Sequence, residues 1–299
     1  MFDRFDPWNA ITTQAIQEKI KNLDVPFGSF GYDRFGLSRK HLSAFYSILD
    51  PLYHHYFQVE TNGIEHIPKA QQCGMLVGNH SGGIPVDGAM VFASLFFELD
   101  QPRHAHGMVE KFVQEIPFLS SLFSKVGQLT GLPEHANQIL NQNRLLLVFP
   151  EGIRGTGKMY KDRYTLARFG TGFMRIALAN QAPIVPFAFV GGEEALPVIY
   201  HAQLLAKIFK VPYWPVPKHI IPIPKPVLCQ VEYGAPLTFK GNGNESDEEI
   251  LSYVEIVKEE IRKLTERGIK RREERLDLKN QLSQSAQNAD LYTSSKSKR

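Results

Sequence analysis

Short, unbroken apolar runs alternate with amphipathic stretches along this chain. Met75-Leu76-Val77, Leu145-Leu146-Leu147-Val148-Phe149 and residues 184–190 read as strands buried on both faces. Residues 87–99, 133–142 and 171–180 lie between such runs and carry apolar positions at helical spacing. Residues 57–60 and 103–109 fit further strands, and 111–125 an amphipathic helix broken near Pro117. Ahead of these, residues 8–22 place Ile11, Ala15, Ile16 and Ile20 near a helical period. Residues 38–53 predict a second helix, with Ser38 as its cap and Pro51 as an interruption. Residues 246–275 predict a long charged helix. It opens with a Ser246/Glu249 capping box and carries an apolar stripe at Ile250, Val254, Val257, Ile261 and Leu264.

Alternating strands and helices predict an α/β fold with a mostly parallel central sheet flanked by helices. The expected organisation is an N-terminal helical segment over 1–56, a main domain over 57–275, and a polar, disordered tail over 276–299.

Composition narrows the class. In 299 residues, 43% are hydrophobic and 22% charged, as in ordinary globular proteins. The formal net charge of +3 suits an anionic surface or acidic substrate and lacks the strong basic bias of a nucleic-acid binder. Cys73 and Cys229 read as reduced, buried thiols. The first residues lack a signal-peptide pattern, and no apolar run is long enough to span a bilayer. These features predict a peripheral protein on the cytoplasmic side of a membrane.

Two strand ends carry chemistry. The first apolar run leads into Gly78-Asn79-His80-Ser81-Gly82-Gly83-Ile84-Pro85-Val86-Asp87. A neutral imidazole takes a proton near pH 7, and a carboxylate can orient its ring and balance the imidazolium. Unaided, the reading is divided between a catalytic His80 and a structural one. The second run ends in Pro150-Glu151-Gly152-Ile153-Arg154-Gly155. Glu151 is either a loop brace, an Arg154 partner or an acceptor contact. Arg154 is either a surface charge or, with Lys158, a site for phosphate.

The same segment raises a rival. Gly152-Ile153-Arg154-Gly155-Thr156-Gly157-Lys158 fits the Gly-x-x-x-x-Gly-Lys pattern of a phosphate loop, but Met159 stands where Ser or Thr should hold magnesium. A second rival is a serine esterase with Ser81 as nucleophile, although Gly78-Asn79-His80-Ser81-Gly82 misses Gly-x-Ser-x-Gly by one position.

Taken in order, these blocks resemble the glycerolipid acyltransferases of the lysophosphatidate acyltransferase superfamily. Asn79, His80 and Asp87 match its first block. Phe149, Pro150, Glu151, Gly152 and Arg154 match its third, with Ile153 in place of Thr, and Pro183-Ile184-Val185-Pro186 matches its fourth. The resemblance runs from about residue 63 to residue 236. It implies the superfamily's fold and transfer of a fatty acyl group from an acyl-CoA or acyl-carrier-protein thioester to a glycerolipid hydroxyl. His80 would be the general base and Asp87 its orienter, with no acyl-enzyme. Glu151, Gly152, Arg154 and Lys158 would lie on the acceptor side. The implied partners are the thioester, the lipid and a membrane surface; no metal, cofactor or nucleic acid is implied.

The chain departs from the family in two places. Six residues separate His80 from Asp87, more than the family's usual block. The arginine of the second block is missing from Gly131-Leu132-Pro133-Glu134-His135. That leaves His135 as a substitute or a helix-start residue, and it favours a neutral or larger-headed acceptor. A lipid-binding protein with lost catalysis is the alternative the wide block allows. Residues 204–217 mix aromatics, prolines and lysines, as interfacial segments do, or form a buried helix and loop. Lys270-Arg271-Arg272 is either a lipid contact or a solvated helix face.

Overall fold

The computed structural model describes residue 8 and residues 11–81, 84–110, 119–209, 211–221 and 223–296. Its centre is a seven-stranded sheet. The strands are β1 (Glu60–Asn62), β2 (Gly74–Gly78), β3 (Ala105–Val109), β4 (Gln128–Thr130), β5 (Leu145–Val148), β6 (Ile184–Val190) and β9 (Gln230–Tyr233). Their order is β1-β9-β6-β2-β5-β3-β4. The run from β6 to β4 is parallel, β9 is antiparallel to β6, and β1 is parallel to β9. A separate pair, β7 (Val198–His201) and β8 (Pro215–Pro217), is antiparallel.

Side chains on a strand alternate between faces, so each apolar run supplies two cores. Leu76, Leu145, Leu147, Val185, Phe187 and Phe189 join one cluster, while Met75, Val77, Leu146 and Ile184 join the other. The first face is covered by α1 (Gln14–Lys21), α2 (Arg39–Pro51) and α3 (Val86–Phe97), through residues such as Ile16, Leu42, Tyr46, Val91 and Phe96. The second is covered by α5 (Pro133–Leu140), α7 (Gly172–Ala179) and α10 (Asp247–Lys296), through Ile139, Met174, Ile250, Val254 and Ile261. Each fully buried Leu, Ile or Phe contributes about 1.5–3 kcal/mol.

The helix starts follow sequence chemistry. The Ser38 hydroxyl caps α2 by accepting the His41 N–H, and Ser246 accepts the Glu249 N–H at the start of α10. Pro51 ends the regular part of α2, which continues as a π-turn over Leu52–Tyr56. The remaining helices are short: α4 (Leu119–Lys125), α6 (Ile153–Thr156), α8 (Gly192–Ala195) and α9 (Gln203–Ile208).

Several expectations need correction. The polar stretch from residue 276, expected to be disordered, continues α10 as helix to Lys296. Most of the amphipathic helix expected from residue 111 lies outside the described residues; only α4 is described. The basic cluster on α10 is neither a solvated face nor free for lipid at two of its three positions. Arg271 donates to the buried Glu232 carboxylate at 2.9 Å, joined by Arg267, and Arg272 donates to the Leu228 carbonyl and pairs with Glu194. Those bonds fix α10 against β9. Among the described residues, no helix is long and apolar enough to cross a membrane.

Candidate active site

The site sits where β2, the middle strand of the sheet, and β5 beside it both end. Ligands gather at such carboxyl-terminal edges because loops there leave the sheet in different directions. Asn79 closes the end of β2: its amide exchanges two hydrogen bonds with the Phe189 backbone of β6, at 2.9 and 2.8 Å. This explains the asparagine as a strand clamp and points His80, the next residue, away from the sheet.

The widened loop closes. Gly82 and Gly83 lie outside the described residues, but the residues on either side meet. Asp87 stands in the first turn of α3, where the helix dipole favours a carboxylate. Its Oδ2 lies 2.6 Å from His80 Nδ1 and accepts the Ser81 N–H at 2.7 Å, while Oδ1 accepts the Gly88 N–H at 2.7 Å. The Asp87 side chain is fully buried and that of His80 is 15% exposed. The imidazole stacks on Phe149 at 4.1 Å between centroids and 13° between planes. With Nδ1 committed to Asp87, Nε2 is the nitrogen left for a proton.

Glu151 makes the contacts of a loop brace. Its Oε1 accepts the His80 backbone N–H at 2.9 Å and its Oε2 accepts the Ala167 N–H at 2.7 Å. Lys158, expected as a second charge for the acceptor, is turned inward. Its ammonium lies 3.3 Å from Glu151 Oε2 and donates to the Thr165 carbonyl at 2.9 Å. Arg154 is exposed and donates to the Arg168 carbonyl at 3.3 Å. The Gly152 N–H donates to the Phe149 carbonyl at 3.0 Å. Gly152 adopts φ +55°, which lets the chain turn there. Gly155 packs under His80: a Cβ at that position would stand 2.7 Å from His80 Cβ and 2.9 Å from Glu151 Cβ.

Neither rival gains support. The Ser81 hydroxyl is buried and makes no hydrogen bond among the described residues, and the Ser81 side chain is packed against Gly192 rather than poised on His80. The glycines after β5 open a helix of only four residues, without the magnesium hydroxyl of a phosphate loop. His135 Nδ1 donates to the Thr130 carbonyl at 3.1 Å, which makes it a helix-start residue.

Two residues outside both motifs complete the surroundings. Glu193, on α8 just past β6, is fully buried. One oxygen accepts the Tyr164 N–H at 3.3 Å and the other has no partner among the described residues. Burial pushes its carboxyl up to about 7, against the opposing pull of Lys158. Tyr213, in the loop before β8, bonds to Thr156. Burial, with the Asp87 charge adding to it, pushes its hydroxyl up to about 12. Their distance in sequence from either motif hides both. An open cavity of 440 Å³ lies at the opposite end of the sheet, lined by Cys73, Asn143 and Pro183, and includes no residue of the site.

A buried acid paired with a largely buried imidazole thus stands at the edge of the mostly parallel sheet of an α/β protein. Residues 58–190 match the family model described as Acyltransferase. An uncharacterized protein of Mycobacterium tuberculosis is 33% identical over 223 residues, covering 70% of this chain and 61% of that protein. A Bos taurus protein described as a DGAT1/2-independent enzyme synthesizing storage lipids is 24% identical over 207 residues, covering 66% of this chain and 58% of that one. This chain therefore spans about three fifths of the length of these relatives. The crystal structure of the 1-acyl-sn-glycerophosphate acyltransferase PlsC from Thermotoga maritima aligns with a TM-score of 0.48 and 17% identity, over 76% of this chain and 81% of that one.

Proposed function

We propose that this protein transfers a fatty acyl group from an acyl-CoA or acyl-carrier-protein thioester to a hydroxyl of a glycerolipid. The carrying observation is the 2.6 Å contact between His80 Nδ1 and a fully buried Asp87. In the reaction, His80 Nε2 takes the proton of the acceptor hydroxyl as its oxygen attacks the thioester carbonyl. Asp87 holds the ring and balances the imidazolium. Collapse of the tetrahedral intermediate expels the thiolate, which recovers a proton from His80. No acyl-enzyme forms.

The side chains favour an acceptor without a phosphate monoester. Lys158 is neutralised by Glu151, and the second-block arginine is absent. The description of the bovine relative as a storage-lipid enzyme agrees with a neutral glyceride. A lysophospholipid with a larger head group is the second acceptor class consistent with this arrangement. The transfer would take place at a membrane surface, on the cytoplasmic side.

The test is an acceptor screen. Purified protein is given one acyl-CoA with monoacylglycerol, diacylglycerol, lysophosphatidate or lysophosphatidylcholine, and new acyl esters are separated by chromatography. A neutral glyceride is expected to give the most product. Absence of product from every acceptor, with acyl-CoA and acyl-carrier-protein donors alike, would overturn the reading.

A further inference from the structure

Residues 195–231 contain no aspartate or glutamate, in a chain that has 31 of them. The same stretch holds four lysines, of which Lys207, Lys218 and Lys225 are described and exposed. Within it, residues 198–217 form the small unit of β7, α9 and β8, outside the main sheet. Its large apolar side chains face solvent: Leu204 is 72% exposed and Ile220 80%, and Ile199, Ile208, Phe209 and Ile221 are exposed as well. Solitary exposed apolar residues are ordinary, but their concentration in one basic unit marks an interaction surface. On α9 only Ala206 is buried, so the helix turns its larger apolar side chains outward.

The unit is joined to the catalytic loops. His201 Nε2 donates to the Gly157 carbonyl at 2.9 Å, and Tyr213 bonds to Thr156. Both partners belong to the segment that runs from Glu151 to Lys158. A surface that engages this unit is thereby held beside the His80 loop.

We propose that this β7–α9–β8 unit is the surface on which the protein docks to an anionic lipid bilayer, with its apolar side chains in the acyl boundary and its lysines at the head groups. Apolar burial and attraction to anionic lipid add in such binding, and acidic side chains would oppose it. The inference builds on the proposed function and names the surface that brings the site to a membrane-borne acceptor.

Flotation of the full chain with vesicles tests it. One set is phosphatidylcholine; the other adds phosphatidylglycerol. The wild type is expected to float with the anionic vesicles and much less with the neutral ones. Leu204→Glu/Ile208→Glu should reduce flotation roughly tenfold or more, since each substitution removes apolar area and adds repulsion. Lys207→Glu/Lys218→Glu should remove the preference for anionic lipid and leave the melting temperature unchanged. Flotation of both variants equal to that of the wild type would overturn the inference. So would a wild type that binds neither vesicle, or a sedimenting dimer that the Leu204→Glu/Ile208→Glu variant dissolves while vesicle binding persists. A failed acyltransferase reading is distinguishable: it gives no ester product in detergent-dispersed acceptor while flotation follows the expected pattern.

Discussion

Glu151 at the end of β5 accepts the backbone N–H of His80 at the end of β2, at 2.9 Å. The acid of one motif therefore sets the position of the base in the other, and a single carboxylate joins two loops that are 71 residues apart in sequence. Its second oxygen is also occupied, by Ala167 and Lys158. Glu151→Gln puts an amide donor opposite one of those donors and leaves Lys158 buried without its counter-charge. The expected loss of stability is about 1–3 kcal/mol, measured by denaturant unfolding. Activity should fall further than the folded fraction does. Wild-type activity per folded molecule in Glu151→Gln would contradict a brace role.

In the proposed mechanism, Asp87 orients the base and does not itself react. Asp87→Asn keeps the shape and can still accept from Ser81, but it removes the charge that balances the imidazolium. The turnover number should fall roughly 10²-fold or more, within the range for general-base assistance. Acyl-donor affinity, read by inhibition with a non-hydrolysable thioester analogue, should stay close to the wild type. Equal loss of donor binding would show that the residue serves loop folding instead.

Gly155 is expected to be intolerant of any side chain. The Cβ of Gly155→Ala would stand 2.7 Å from His80 Cβ and 2.9 Å from Glu151 Cβ, closer than packed carbons approach. The base has to shift. Activity should drop at least tenfold, with a melting temperature a few degrees lower, on the order of 1–3 kcal/mol of overpacking. A fully active, stable Gly155→Ala would mean that the loop rearranges freely.

Glu193 carries a dependence of stability on pH. Its folded value of about 7 lies above its ordinary 4.5. The folded state therefore holds the proton more tightly than the unfolded chain does. That contribution is complete below about 4.5, declines as pH rises, and is gone above about 7, a span worth roughly 3 kcal/mol. Glu193→Gln abolishes the titration. Unfolding free energies of the two proteins should diverge from about pH 4.5 to about pH 7, with the wild type losing ground. A constant difference over that range would contradict a buried, proton-holding Glu193.

Much of the frame was legible in the sequence because uninterrupted apolar runs leave few alternatives to a buried strand. β2, β5 and β6 follow Met75-Leu76-Val77, Leu145–Val148 and Ile184–Val190 closely. β9 escaped notice because Gln230 and Glu232 break its apolar pattern. The buried Glu232 is made tolerable by Arg267 and Arg271 from α10, which no local reading supplies. β4, β7 and β8 are only three or four residues long, too short for a period to show.

The site divides in the same way. His80 and Asp87 were visible as types on one loop, and their meeting needed the start of α3 to return the carboxylate. Glu151, Arg154 and Lys158 were visible as charges, but charge alone does not give direction. Lys158 faces inward because Glu151 and the Thr165 carbonyl are there to receive it, and Arg154 faces outward. The ring of Phe149, which the motif contributes as a strand-end apolar residue, proves to be the surface on which the imidazole rests.

The account stands on proton removal by His80, and thiol release measures it most directly. Acyl-CoA and a glyceride acceptor are supplied to the wild type and to His80→Gln, and free coenzyme A is followed with a thiol reagent. The wild type should release thiol in step with ester product. His80→Gln, folded as judged by its melting curve, should be slower by roughly 10²–10⁴-fold. Acceptor-dependent thiol release by His80→Gln at the wild-type rate would contradict the account.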